Sequence, residues 1–473
     1  MNNNAMEASP AAGKGVWGAV REAIAGTQHD YTTGNLGRAI TLLAVPMVLE
    51  MSMESLFGVV DVFIVARLGN DAVATVALAE SLLVLVFAVA LGLSMATSAA
   101  VARRIGEKDP EGAAVTAVQA IGTGLVVSVV TGLAGALLAP RLLGWMGASP
   151  QVVSLGSTYT AIVLGGAATV FLLFLINAVF RGAGDATLAM RALWLANLVN
   201  IVLDPCLIFG WGPFPELGLT GGAIGTTVGR GVGVLYQVSM LLRGRSRVVI
   251  ERRHLRLDPV VLRQLLRVSF TGTLQFLVAT ASWMGLVRII AVFGSAALAG
   301  YAIAIRIIIF AILPSWGLSN AAATLVGQNL GAGKPERAER SVWLTAFYNM
   351  LFLGSVAIVF IIWAEPVVGF FASEPAVVSV GVDCLRYICY GYGFYAYGMV
   401  MVQAFNGAGD TLTPTIINLA CYWLWQIPLA YGLALGTPLG AKGVFLAITI
   451  SESTLALVGI LMFRRGKWKQ QKI

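Results

Sequence analysis

Three carboxylates interrupt a stretch that is otherwise apolar enough to cross a membrane: Glu50, Glu54 and Asp61 within LLAVPMVLEMSMESLFGVVDVFIV. At about 100° per residue these positions fall within about 40° of one another, so one helix face carries all three. An ionised carboxylate at mid-membrane costs on the order of 2.5–3.5 kcal/mol, so such a stripe must turn toward water or toward partners. A later stretch, LANLVNIVLDP, offers them. Its i, i+3, i+7 spacing aligns Asn197, Asn200 and Asp204, and Pro205 removes a backbone donor and frees the Ile201 carbonyl. Oxygen ligands beside a helix defect suit a small hard cation or a proton relay. Asn177 and Thr226 stand where they can add oxygens. Asp61 and Asp204 are the carboxylates best suited to bind and release an ion. Glu50 and Glu54 can instead face a wet cavity, and Asn197 suits helix–helix hydrogen bonding.

The elements that must hold these groups are membrane helices. The 473-residue chain is 58% hydrophobic and 11% charged, against roughly 25% charged in a soluble domain. About twelve runs reach the length of about 20 apolar residues that a bilayer demands, and they are too long and continuous for barrel strands. They come as two matching sets. Phe180-Arg-Gly-Ala-Gly-Asp185 returns as Phe405-Asn-Gly-Ala-Gly-Asp410, a shift of 410 − 185 = 225. Gly106, Pro110 and Glu111 return as Gly331, Pro335 and Glu336 at the same shift, as do Gly69 and Ala72 in Gly294 and Ala297. The chain therefore divides into a polar N-terminal tail (1–35), a first six-span lobe (36–245), a basic linker (246–262), a second six-span lobe (263–464) and a basic C-terminal tail (465–473). An even number of spans per lobe makes the repeat parallel, about an axis along the membrane normal.

Lysine and arginine collect on alternate connections: Arg103, Arg104 and Lys108; Arg243 through Arg263; Lys334, Arg337 and Arg340; and the C-terminal Arg464 through Lys472. The positive-inside rule predicts that both termini are cytoplasmic and that the linker's charge is a topology signal touching anionic lipid headgroups; no nucleic-acid partner is expected. The repeat also isolates the acids. At the 225 shift Asp61 falls on Leu286, Asn177 on Val402, Asn200 on Trp425 and Asp204 on Leu429, so the second lobe lacks the set. It is aromatic instead, and Tyr387, Tyr390, Tyr395 and Trp423 are candidates to line a substrate cavity or to form an interfacial belt. Pro46, fifteen residues before Asp61, gives its helix a bending point. Gly331-Ala-Gly-Lys-Pro335 lacks the remaining residues of a phosphate loop, no metal-ligand spacing or nucleophile elbow occurs, and the four cysteines form no C-x-x-C pair. No enzyme activity and no cofactor are expected.

Taken together, Pro46 with Val60-Asp61, Arg181-Gly-Ala-Gly-Asp185, Asn200-Ile-Val-Leu-Asp204-Pro205 and Leu325-Val-Gly-Gln-Asn-Leu-Gly-Ala-Gly-Lys334 resemble the multidrug and toxic compound extrusion (MATE) family over nearly the whole chain. The resemblance implies an all-α membrane protein whose two six-helix lobes rock around a central cleft. It also implies export of lipophilic or cationic compounds across the plasma (cell inner) membrane in exchange for H⁺ or Na⁺, by a multi-pass monomer. In the DinF-like branch the coupling residues match Asp61, Asn177, Asn200, Asp204 and Thr226. The second-lobe acids of the NorM-like branch would fall near Ala279 and Gly393, so that pattern is absent. Glu50 and Glu54 depart from the one-carboxylate first span. The alternative is a lipid-linked oligosaccharide flippase of related architecture, which predicts a strongly cationic lumen.

Overall fold

The computed structural model describes residues 16–471, and among them it contains helices and turns but no strand. In lipid each backbone N–H and C=O must be satisfied inside its own segment, which a helix does and an open strand cannot. A short helix α1 (Val16–Ala25) precedes the first lobe: α2 (Leu36–Ala66), α3 (Asn70–Gly106), α4 (Pro110–Trp145), α5 (Pro150–Gly165), α6 (Ala167–Ala183), α7 (Ala186–Phe209) and α8 (Leu219–Leu242). The second lobe holds α9 (Pro259–Ala291), α10 (Ser295–Gly331), α11 (Pro335–Ile362), α12 (Ala364–Gly369), α13 (Pro375–Cys389) and α14 (Tyr392–Ala408). After these come α15 (Leu412–Asn418), a π-helical stretch Leu419–Gln426, α16 (Ile427–Leu435) and α17 (Ala441–Arg464). Pro110, Pro150, Pro259, Pro335 and Pro375 each stand in a first helical turn, where a missing N–H costs nothing.

Eight helices, counted over the described residues, combine the length and hydropathy needed to cross a bilayer, with α5 and α6 acting as one span. A count of twelve requires adding α2, α8, α13 with α14, and α15 with α16. The protein is thus a multi-pass membrane protein.

The repeat is written into the backbone. Gly69 and Gly294, the caps of α3 and α10, share φ 95° and ψ 176°, a region closed to side chains with a Cβ. The left-handed caps Gly184 (φ 86°) and Gly409 (φ 85°) end α6 and α14. Gly166 and Gly391 break α5–α6 and α13–α14 at matching points. The register slips at two places: past the π-helical stretch the caps Gly210 and Gly436 of α7 and α16 stand 436 − 210 = 226 apart, and Gly218 and Gly440 cap α8 and α17 with φ 55° and 56° at 440 − 218 = 222.

The lobes meet through reciprocal close crossings. A Cβ on Gly106 would strike the Gln328 carbonyl, and one on Gly331 would strike the Arg103 carbonyl, each pair being the repeat image of the other. Gly92 abuts α9 at Ser269 and Thr273, as Gly317 abuts α2 at Met47 and Val48. These crossings lie toward the face that carries the basic connections. That face is also strapped. Tyr31 donates to the Gly184 carbonyl (3.3 Å) in the first lobe, while Lys334 and Arg337 of the second donate to the carbonyls of Thr32 (2.9 Å) and Gly34 (2.9 Å). Residues 16–35 are therefore a folded, docked segment where the sequence reading has a polar tail; 1–15 lie outside the described residues. The linker is likewise packed, with Ser246, Val248 and His254 buried, and Trp468 of the C-terminal tail stacks at 4.6 Å on Phe463.

Within the first lobe one contact fixes the geometry of the acids. Gly221, Gly225, Gly229 and Gly233 form a stripe at i, i+4 spacing along α8 that lies on α7. Cβ atoms there would meet the Leu207 carbonyl, the Asp204 carboxylate, the Ala196 carbonyl (2.7 Å) and the Ala196 side chain (2.9 Å), respectively. Small residues let membrane helices approach this closely, since dispersion rather than the hydrophobic effect drives their association. Gly229→Leu should separate α7 from α8 and destabilise the protein by about 1–3 kcal/mol. Thermal unfolding of the purified protein in detergent measures this; an unchanged midpoint would contradict the packing role.

Candidate functional site

Glu50, Glu54 and Asp61 project from α2 at successive depths, and each has its own neighbours. Glu50 is 1% exposed and pairs with Arg181 of α6 (Nη1–Oε1 2.9 Å), while Asn177 donates to the same oxygen at 3.2 Å. Gln237 of α8 donates in turn to Asn177 Oδ1 at 2.6 Å. Trp194 Nε1 donates to the Leu49 carbonyl at 3.1 Å and fixes α2 against α7 beside this group. Glu54, one turn on, accepts from Asn197 Nδ2 at 3.2 Å, a helix–helix bond of the kind expected for that asparagine.

The deepest group lies where α7 meets the glycine stripe. Asn200 Nδ2 donates both to Asp204 Oδ1 (3.1 Å) and to Thr226 Oγ1 of α8 (3.0 Å). Asp204 is 1% exposed, and Asn200 Oδ1 is buried with no partner in the protein. Asp61 lies near enough for its charge to act on Asp204, on Glu80 of α3 and on Arg230 of α8. Arg230 feels Glu54, Asp61 and Asp204 together, yet forms no salt bridge among the described residues. Three carboxylates thus surround one guanidinium, leaving an excess of negative charge that a bound cation or proton would offset.

The structure brings Asp61, Asn200, Asp204 and Thr226 into one group and puts Asn177 in another, with Glu50, Arg181 and Gln237. Arg181 was legible only as part of the Arg181-Gly-Ala-Gly-Asp185 repeat; its i+4 relation to Asn177 could have signalled that both face the same acid. Glu50 lines the central cavity as expected, but it is buried and paired rather than solvated. Burial with a guanidinium makes it one half of a structural ion pair, although it still edges the central cavity. That cavity, about 330 Å³, lies between the lobes, with Glu54, Phe87 and Arg181 from the first and Phe276, Trp316, Asn320 and Asn406 from the second.

Of the four aromatic candidates, Tyr395 lines a cavity in the second lobe. Tyr390 is 63% exposed and packs edge-on to Tyr387 with ring centroids 6.5 Å apart, and Trp423 donates to the Val278 carbonyl at 3.0 Å on an exposed face. These three suit an interfacial belt. Pro46 lies inside α2, which is unbroken from Leu36 to Ala66. The second lobe also holds an acid that sequence reasoning left without a role. Glu452 of α17 lines a second cavity of about 410 Å³ beside Tyr395 and Tyr422, which adjoins the central one at Phe276 and Trp316. Among the described residues no three His, Cys, Asp or Glu side chains group closely enough to hold a metal ion. The oxygens at the first-lobe group come from two aspartates, an amide and a hydroxyl.

Comparison with known proteins agrees with this architecture. The MatE family model matches residues 46–206 and 273–432, one stretch in each lobe. The chain is 26% identical over 446 residues to the probable multidrug resistance protein NorM of Thermotoga maritima, covering 91% of this chain and 93% of that one. The crystal structure of MATE in the straight conformation superposes with a TM-score of 0.88 at 28% identity, covering 93% of this chain and 98% of the other. MATE in the bent conformation gives 0.85 at 27%, covering 96% and 98%. With both lobes matched and the fold shared from end to end, this chain belongs to the MatE family of membrane transporters.

Proposed function

We propose that the protein is a secondary active multidrug efflux antiporter of the plasma (cell inner) membrane, exporting lipophilic or cationic compounds in exchange for H⁺ or Na⁺. The observation that carries this reading is the Asp61–Asn200–Asp204–Thr226 group, with Asn200 and Asp204 buried and Asp61 and Thr226 half-buried, and its surplus of carboxylates. Membrane acids without a partner of equal charge are costly, and a small cation repays that cost. The relative from Thermotoga maritima, named a probable multidrug resistance protein, supports drugs as the cargo. A flippase for an anionic lipid-linked sugar would want a cationic lumen, whereas the central cavity is charged only by Glu50, Glu54 and Arg181, the last already neutralised by Glu50.

With the basic connections facing the cytoplasm, the tight lobe crossings and the strap of residues 16–35 close that side, and the cleft opens outward. Cation binding at Asp61 and Asp204 then reshapes α2 against α7 and α8, with Pro46 as the place where α2 can bend. That the related MATE has been solved both straight and bent supports a bend of this kind. Narrowing of the cleft between the lobes expels cargo outward. The lobes then exchange sides about their reciprocal glycine crossings, giving alternating access around the central site.

Dye efflux from proteoliposomes under imposed pH or Na⁺ gradients tests the assignment. Asp61→Asn and Asp204→Asn should each reduce gradient-driven efflux about 5- to 150-fold, the usual range of coupling between two sites. Wild-type coupling in both variants would refute it. Glu50→Ala should behave differently: it strands the Arg181 guanidinium and should lower stability by about 3–5 kcal/mol, visible as a drop in the detergent melting midpoint. A Glu50→Ala protein as stable as the wild type would remove Glu50 from its structural role.

A further inference from the structure

The slip from 225 to 222 changes which residues of α8 and α17 correspond, and contacts confirm the new register. Thr227 of α8 packs on Gly166, the break between α5 and α6, just as Thr449 of α17 packs on Gly391, the break between α13 and α14. Since 449 − 227 = 222, the counterpart of Arg230 is Glu452. The two lobes therefore carry opposite charges at one structural position. In the first lobe the base sits among three acids. In the second, where Leu286 and, past the π-helical insertion, Ala430 replace Asp61 and Asp204, the acid is alone.

Glu452 is 9% exposed and lines the second-lobe cavity of about 410 Å³. Tyr395 and Tyr422 lie beside its carboxylate, and no basic side chain reaches it among the described residues. Two further oxygens on the same wall, Gln275 Oε1 and Asn418 Oδ1, are buried without a partner in the protein. Trp283 and Trp316 add flat apolar faces. A cavity of this size is within the range that holds a small organic ligand. Two oxygens needing donors and a carboxylate with no basic neighbour, among aromatic rings, describe the complement of a specific chemistry.

We propose that this cavity is a second ligand site, distinct from the ion group in the first lobe, whose occupant is a planar organic cation bearing N–H donors, with Glu452 as its counter-ion. The proposal deepens the efflux reading, on which it rests for the identity of the occupant as cargo. The aromatic walls hold the ring system, and Gln275 and Asn418 accept from its amino groups. Glu452 discriminates by charge: an uncharged molecule of the same shape leaves the carboxylate uncompensated. Rocking would then carry the cation past a lobe that holds no coupling acids, which separates cargo recognition from ion exchange.

Binding of ethidium, a planar cation with two amino groups, to the purified full-length protein in detergent tests this, with Nile red as the uncharged planar control. Fluorescence anisotropy should show Glu452→Gln weakening ethidium about tenfold relative to Nile red. Tyr395→Leu, which keeps the charge and removes a wall, should weaken ethidium about threefold or more. Equal ethidium affinity in the wild type and Glu452→Gln would overturn the proposal. So would an equal loss for both dyes, which marks a structural defect. If the wild type binds ethidium in this pattern but moves no dye under any imposed gradient, the antiport reading fails and the binding site stands.

Discussion

Asp204 lies flat against bare backbone at Gly225, and the rest of the first lobe is arranged around that contact. A carboxylate in hydrocarbon must be walled off by protein, and only a glycine lets two helices close over one. The stripe Gly221–Gly225–Gly229–Gly233 therefore does two things at once. It binds α7 to α8, and it presses Asp204 to within reach of Asn200, Thr226, Asp61 and Arg230. Any change in the charge of Asp204 must act on this tight joint, because a packed interface has few intermediate states. That is how an ion as small as a proton can move helices.

The duplication supplies the other half of the mechanism. Because Gly106 meets Gln328 where Gly331 meets Arg103, the lobes can pivot on a symmetric joint without either losing its own core. Because the copies have diverged, they need not do the same chemistry. The first keeps acids, an asparagine and a tight glycine stripe. In the second the stripe reads Gly443, Ala447, Ser451 and Leu455, Leu455 lines the cavity, and a π-helical stretch, Leu419–Gln426, replaces regular helix where α7 carries Asn197 and Asn200. π segments are frequent at functional sites, and here one places Tyr422 beside Glu452.

Much of this was legible in the residues themselves. Hydropathy and the Phe180–Asp185 repeat gave the lobes, and helical spacing gave the stripe of Glu50, Glu54 and Asp61 together with Asn197, Asn200 and Asp204. What spacing could not give was which partner each polar group would choose. Asn177 bonds to Glu50 rather than to Asp204 because α6 places it beside Arg181, and no one-dimensional pattern states how two helices are rotated. Glu452 escaped notice for a different reason. The π-helical stretch adds one residue and the connection before α17, Gly436–Gly440, is four shorter than Gly210–Gly218 before α8, so the constant offset of 225 becomes 222 there, whereas at 225 Glu452 is set against Thr227 instead of Arg230. The docked strap of residues 16–35 was hidden by its polarity, since many of its ties are hydrogen bonds to backbone carbonyls.

The central claim is that the acids of the first lobe hold an ion that cargo and conformation displace. It is tested most directly by following the pH of an unbuffered detergent solution of the purified protein, with and without Na⁺, as ethidium is added. Proton release, or in its place release of bound Na⁺, should accompany binding to the wild type and vanish when Asp61 and Asp204 are both replaced by asparagine. Saturable ethidium binding with no ion released by the wild type, or with the same release after both replacements, would contradict it.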